Sequence, residues 1–190
     1  ASTLLKYLKS IGGVLNTSNT IPILDCFLFE VSKGELKLSA SDMETTISTS
    51  LKVDSNDTGN IAIPAKTLLD ALANLPEQPV SFIIDKTKQS IKLKTETGDY
   101  NITGQNGDEF PKMPKVESET SIVIKSDVLA NAINKTIFAT GNDDLRPVMS
   151  GVFCQFNEDS AIFVATDAHK LVKYTRNDAR AGTAASFIMP

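Results

Sequence analysis

The chain holds one histidine, His169, and the groups beside it are those that hydrolytic chemistry uses. Asp167 and Thr166 precede it, and Ser150 lies a short way upstream. A Ser–His–Asp device needs a nucleophile against the imidazole and a third group that orients the ring. No Gly-x-Ser-x-Gly elbow presents such a serine. There is also no phosphate loop, no dinucleotide fingerprint and no metal-ligand spacing. Cys26 and Cys154 lie in apolar, strand-like runs and fit neither a zinc site nor a disulfide framework. They read as reduced, buried thiols. No catalytic, cofactor-binding or metal residue is assigned, and no cofactor is implied.

The elements that position these residues occur twice. Residues 21–42 (IPILDCFLFEVSKGELKLSASD) and 146–167 (RPVMSGVFCQFNEDSAIFVATD) align without a gap at an offset of 125. Pro22 falls on Pro147, Ile23 on Val148, Leu24 on Met149, Val31 on Phe156 and Leu38 on Phe163. Ala40-Ser41-Asp42 falls on Ala165-Thr166-Asp167, Leu4 on Leu129, and Leu8 on Ile133. With one insertion, Ile63-Pro64 falls on Met189-Pro190. Asp167 thus has a counterpart, Asp42, in the copy without a histidine, which gives both a turn role: the carboxylate bonds nearby backbone N–H groups. The second copy has an alternating strand, Thr120–Lys125, before its first helix. By that comparison the first copy is expected to lack its opening strand and the second to stop about halfway.

Within a copy, Leu4, Leu5, Leu8 and Ile11 form one face of a helix over residues 2–11, with Ser2 as N-cap and Gly12-Gly13 ending it. Residues 22–31, 35–41 and 44–53 are expected strands, with Lys33-Gly34 as the first turn, and Ile61–Ile63 is a short one. Pro64 opens a second helix that buries Leu68, Leu69, Leu72 and Leu75 and ends at Pro76. Three strands follow: Val80–Ile84, Ser90–Lys94 and Tyr100–Gly104. Residues 106–119 read as a linker, and the second copy adds a helix Ser126–Ala139. Two helices and about eight strands per copy indicate an α+β domain with its helices on one side of antiparallel sheets.

A chain 41% hydrophobic and 22% charged has apolar residues enough for such cores. No apolar run reaches the roughly 20 residues of a membrane span, and no basic segment precedes an apolar one, so neither a membrane nor a signal peptide is expected. The net charge of −4 is unevenly spread. Helix faces that cannot be core carry Lys6 and Lys9, then Lys66, Asp70 and Asn74, then Asn131, Asn134 and Lys135. Acids gather in 54–57, 96–99, 108–119 and 157–159. A neutral-to-basic helix side suits a phosphate backbone without base reading.

Several motifs resemble those of the bacterial beta sliding clamps. Arg146-Pro-Val-Met-Ser-Gly-Val152 and Ala165-Thr-Asp-Ala-His-Lys-Leu171 are similar to the family's middle-domain motifs. Leu4-Leu5-Lys6, Ile21-Pro-Ile-Leu24, Ile63-Pro-Ala-Lys66 and Phe110-Pro111 resemble its first-domain motifs, in order and at similar spacing. The resemblance implies repeated DNA-clamp (processivity) domains: 1–115 the first, 116–190 the first half of the second, and a third domain absent from this chain. It implies a cytoplasmic, non-catalytic homodimer ring with helices lining the hole around duplex DNA. Its implied partners are the DNA polymerase III catalytic subunit, a clamp loader and other proteins bearing a short glutamine- and leucine/phenylalanine-containing peptide.

Carried over by position, the peptide cleft falls on Met149, Thr166, Ala168, His169, Lys170 and Leu171. Ala168 stands where the family has glycine, and Lys170 where it has arginine. The first narrows backbone freedom and the second loses a planar fork of donors. A DNA-touching arginine of the family falls on Ser18, and a glutamine used for DNA falls near Asn142 or Asp143, where a carboxylate repels phosphate. The DNA-facing candidates are therefore Lys6, Lys9, Lys66, Asn131, Asn134 and Lys135. The repeat points independently to the cleft. Val172 matches Ile47, so both are expected to face the core, with Leu171 and His169 outward where the first copy has Thr46 and Glu44. An outward leucine beside Met149 is a partner-binding feature. A non-encircling peptide-binding adaptor is the other function compatible with these residues.

Overall fold

The computed structural model describes residues 1–15, 21–112, 122–143, 145–179 and 181–190. It divides into two compact units, Ala1–Pro114 and Lys115–Pro190.

In the first unit, helix α1 (Ser2–Ile11) turns Leu4, Leu8 and Ile11 inward, and Lys9 in its last turn complements the helix dipole. Ser2 is the first helical residue rather than the cap; Ala1 takes that position with no side-chain bond, and the Ser2 N–H is met by Glu77 at 3.3 Å. Strands β1 (Cys26–Ser32), β2 (Glu35–Ser41), β3 (Thr46–Lys52) and β4 (Gly59–Pro64) form an antiparallel sheet of order β3-β2-β1-β4. Residues 22–25, expected as strand, form a 3-10 turn instead, because Pro22 has no N–H for a ladder. Gly34 at φ +84 closes the two-residue β1–β2 hairpin. Helix α2 (Ala65–Ala73) starts after Pro64, which caps it and ends β4. Leu68 and Leu72 are buried, while Leu69 and Leu75 are only half-buried at the edge of the same core. Strands β5 (Ser81–Asp85), β6 (Ser90–Lys94) and β7 (Asp99–Thr103) make a second antiparallel sheet.

One core explains this arrangement. Alternation puts Phe27 and Phe29 of β1, Leu36, Leu38 and Ala40 of β2, and Ile61 and Ile63 of β4 on one face of the larger sheet. Both helices pack on that face, and Ile91 and Leu93 of β6 join them. Both helices of this unit thus lie on one side of its larger sheet, as the α+β reading requires. On the opposite face, Phe110 is buried against Ile23, Cys26 and Ala62. Residues 106–112 are therefore not a free linker: the Gly107–Glu109 turn delivers Phe110 to that cluster. Residues 113–119 lie outside the described residues.

The second unit repeats the larger sheet. Helix α3 (Ser126–Asn134) precedes strands β8 (Val152–Phe156), β9 (Ala161–Thr166), β10 (Leu171–Arg176) and β11 (Ala185–Met189), ordered β10-β9-β8-β11. This is the order of the first sheet, and Pro147, like Pro22, opens a 3-10 turn before it. The helix stops short of the expected Ala139. The buried Thr136 hydroxyl donates to Ala132 O at 2.9 Å, and a short 3-10 turn follows at Ile137–Ala139. The expected strand Thr120–Lys125 is also corrected. Thr120 and Ser121 lie outside the described residues, and residues 122–125 join no ladder; Ile122 and Ile124 are partly buried against the core of this unit. Among the described residues this unit shows one α-helix, not two.

Both cysteines are free and buried. Burial, with the Asp25 charge adding, pushes the Cys26 thiol up to about 11, and burial also raises Cys154. Neither is a thiolate at neutral pH.

Gly104 marks a close approach that tests the packing of the two sheets of the first unit. A Cβ there lies 2.8 Å from Ala62 O and 2.6 Å from Ile91 Cδ1. Gly104→Ala is expected to lower unfolding free energy by about 1–3 kcal/mol. Gly13→Ala meets nothing within 4 Å and is expected to shift it by less than about 0.5 kcal/mol. Urea denaturation of both variants measures the difference.

Candidate functional site

The turn between β9 and β10 is built by two side chains. Thr166 Oγ1 accepts from Ala168 N at 3.2 Å and donates to Lys170 O at 2.7 Å. Asp167 Oδ1 accepts from His169 N at 3.0 Å and Lys170 N at 2.9 Å, and its Oδ2 pairs with the Lys170 ammonium. The Lys170 ammonium, then the two N–H groups, hold the Asp167 carboxyl well below the usual carboxylate range. The chain reverses at Ala168, whose φ is +75. The first unit builds the same turn: Ser41 Oγ accepts from Met43 N, Asp42 Oδ1 accepts from Glu44 N and Thr45 N, and Met43 has φ +82. The turn role expected for both aspartates is thus observed. Asp167 spends its carboxylate on backbone and Lys170, so it is committed elsewhere than on the His169 ring. His169 and Ser150 are exposed.

The strand register then sets what faces out. Leu171 pairs with Thr166, and Val172 with the core residue Ala165. Val172 packs on the core, so Leu171 points away from it and is 66% exposed. In the first unit Thr46 takes the place of Leu171 and bonds Ser41 through hydroxyls 2.9 Å apart. Ile47 lies on the core side as expected, though it is incompletely covered. It pairs with Ala40 on the core side yet is 37% exposed, because β3 is an edge strand that α1 covers incompletely.

Met149 ends the 3-10 turn Pro147–Met149, and its carbonyl accepts from Gly141 N at 2.8 Å. A Cβ on Gly141 lies 3.5 Å from Asp167 Cβ and 3.7 Å from Met149 Cβ. Gly141 therefore brings the Met149 turn and the Thr166–Leu171 turn together, as the two halves of one surface. Val148 (64% exposed) and Leu145 (91%) are also exposed on the segment that leads into Met149. Sequence reasoning missed these two. The repeat set Val148 on Ile23, which is buried in the first unit beside Phe110, a residue whose counterpart at the same offset is not among residues 115–190. The patch is exposed apolar surface rimmed by His169, Lys170 and Arg146, a composition suited to an amphipathic peptide.

The basic candidates sit on helices. Lys6 and Lys9 are exposed on α1, and Lys66 on α2. Asn131 and Asn134 are exposed on α3, with Lys135 at its C-cap. Asn131 is partly engaged, accepting from the Tyr174 hydroxyl at 3.5 Å. Asp143, near the position of the family's DNA-contacting glutamine, is paired with Arg146. Ser18 lies outside the described residues. Among those described, no group of three His, Cys, Asp or Glu is placed to hold a metal, and no helix is long and apolar enough to cross a membrane.

Residues 1–114 match the family model described as the DNA polymerase III beta subunit, N-terminal domain, and residues 123–190 match its central domain. The chain is 30% identical over 168 residues to a beta sliding clamp of Synechococcus elongatus, covering 87% of this chain and 44% of that protein. It is 27% identical over 165 residues to one of Staphylococcus aureus, covering 83% and 44%. The chain thus spans less than half the length of these curated relatives. Among solved structures, a putative DNA polymerase III beta subunit from Eubacterium rectale superposes with TM-score 0.91 at 28% identity, over 100% of this chain and 52% of that one.

Two outcomes test the turn. Ala168→Gly and Met43→Gly each relieve a left-handed backbone, and each is expected to raise stability by about 0.5–1 kcal/mol after the entropy of glycine is subtracted. Because the folded carboxyl of Asp167 is depressed, its contribution is complete above the unfolded value of about 4 and is lost as pH falls through the folded value. Asp167→Asn is therefore expected to be less stable than the parent at neutral pH, with the two converging in strong acid; denaturation across pH measures this.

Proposed function

Because the chain belongs to the DNA polymerase III beta subunit family, we propose that it contributes two repeated domains to a sliding clamp. In this reading the full-length protein closes as a homodimer ring around duplex DNA and tethers the replicative polymerase. The observation that carries it is the one-sided domain. In the first unit both helices cover a single face of the larger sheet and expose Lys6, Lys9 and Lys66. The opposite face carries Glu30 and Glu35, with Lys37 paired to Glu30 at 3.0 Å. A lysine-bearing helix layer attracts phosphates without reading bases, so a ring lined by it slides. Asn131, Asn134 and Lys135 supply the corresponding surface of the second unit.

The patch formed by Met149, Thr166, Ala168, His169, Lys170 and Leu171 is the docking site for partner peptides. Leucine or phenylalanine side chains of the peptide bury Leu171 and Met149, and the polar rim of His169 and Lys170 orients its polar groups. The partners are the polymerase catalytic subunit, the clamp loader and other proteins carrying the peptide, met in the cytoplasm. Tethering requires binding and topology rather than bond-making, in keeping with an Asp167 that serves its turn.

In the full-length protein, Leu171→Ala and Met149→Ala are each expected to weaken a polymerase-tail peptide by about 1–3 kcal/mol, read by calorimetry. Encirclement is tested by loading the protein onto nicked circular DNA and passing it through a high-salt sizing column. Retention that vanishes once the DNA is linearised supports the ring. Salt-resistant protein that stays on linear DNA with free ends refutes it, and peptide binding with no DNA retention points to a non-encircling adaptor.

A further inference from the structure

The repeat supplies a contrast at the peptide site. Leu24 ends its 3-10 turn 3% exposed, so burial holds it. Met149 ends the matching turn half-buried. Polar contacts converge there. The Asp143 carboxylate accepts from Leu145 N at 3.0 Å through Oδ1. Its Oδ2 takes Arg146 Nε at 2.8 Å and Nη2 at 2.7 Å, and its carbonyl takes Arg146 N at 2.9 Å. Arg146 O then accepts from Met149 N at 2.9 Å, and Met149 O from Gly141 N at 2.8 Å. The same offset sets Ser18 and Ile21 against Asp143 and Arg146. The acid and the arginine therefore occur in one copy and have no counterpart in the other.

We propose that Asp143 is a positioning residue for the peptide site: it clamps Arg146 at the head of the 3-10 turn and so holds Met149 as a preformed wall beside the Thr166–Leu171 turn. This rests on Met149 and Leu171 being that site. An exposed ion pair adds little to global stability, so the effect of Asp143 is local. Its carboxyl is held below the usual range by Arg146 and then by Leu145 N–H, and it stays charged at neutral pH. A preformed wall spares the peptide the cost of ordering a mobile one.

The test uses the full-length protein and a fluorescein-labelled peptide carrying a glutamine followed by leucine and phenylalanine, with affinity read by anisotropy. Asp143→Asn is expected to weaken binding roughly three- to tenfold, with the melting temperature nearly unchanged. In a Met149→Ala background the same substitution is expected to cost nothing further, because Asp143 acts through Met149. In Asp143→Asn, the Met149 methyl resonance is expected to move toward its mobile value while those of Met43 and Met189 stay. Parental affinity in Asp143→Asn overturns the proposal, as does an equal loss in the Met149→Ala background. If Leu171→Ala and Met149→Ala themselves bind like the parent, the site reading fails and this proposal falls with it. If they weaken binding and Asp143→Asn does not, only the proposal falls.

Discussion

Burial of one face of a four-stranded antiparallel sheet is the constraint on which the first unit depends. Phe27, Phe29, Leu38, Ile61 and Ile63 cannot be left in water, and α1 and α2 are the elements with apolar faces to cover them. Covering them puts both helices on the same side. The lysines then follow without further design: the face of α1 opposite Leu4, Leu8 and Ile11 is the face that Lys6 and Lys9 occupy. A lysine-bearing surface is in this sense the reverse side of the core.

The same physics, applied twice, yields two different outer surfaces. The sheet order and the aspartate-built turn are common to both units, down to a left-handed residue at the same position, Met43 and Ala168. What differs is what each copy leaves outside. The first unit closes its turn with a Ser41–Thr46 hydroxyl pair. The second places Leu171 where Thr46 stands. The shared turn thus presents a hydroxyl in one copy and an apolar side chain in the other, a change made outside the core.

The polar contacts of the second unit fit that division. Asp167 and Asp143 each spend a carboxylate on neighbouring N–H groups and one nearby cation. Such local bonds shape a loop without needing a core beneath it. They are the means by which an exposed apolar group is kept in one place.

Much of this was legible in the residues. Period-2 and period-3.6 patterns located α1, β2 and β6, since apolar spacing reports directly which side of an element is buried. The repeat assigned Asp42 and Asp167 to turns, because a carboxylate retained in both copies beside a histidine found in only one is structural. The outward direction of Leu171 followed from strand alternation once Val172 was taken as core. Tertiary structure decided the rest. Ile47 faces the core side as its pattern says yet stays 37% exposed, because α1 covers the edge strand β3 incompletely. Phe110 is buried although its surroundings read as linker, because Cys26 and Ala62 from distant strands meet it. The joining of Met149 to the Asp167 turn through Gly141 depends on which segments pack together. Spacing along the chain records the period of each element; it holds no record of which elements meet, because that is settled by contacts between residues far apart in sequence.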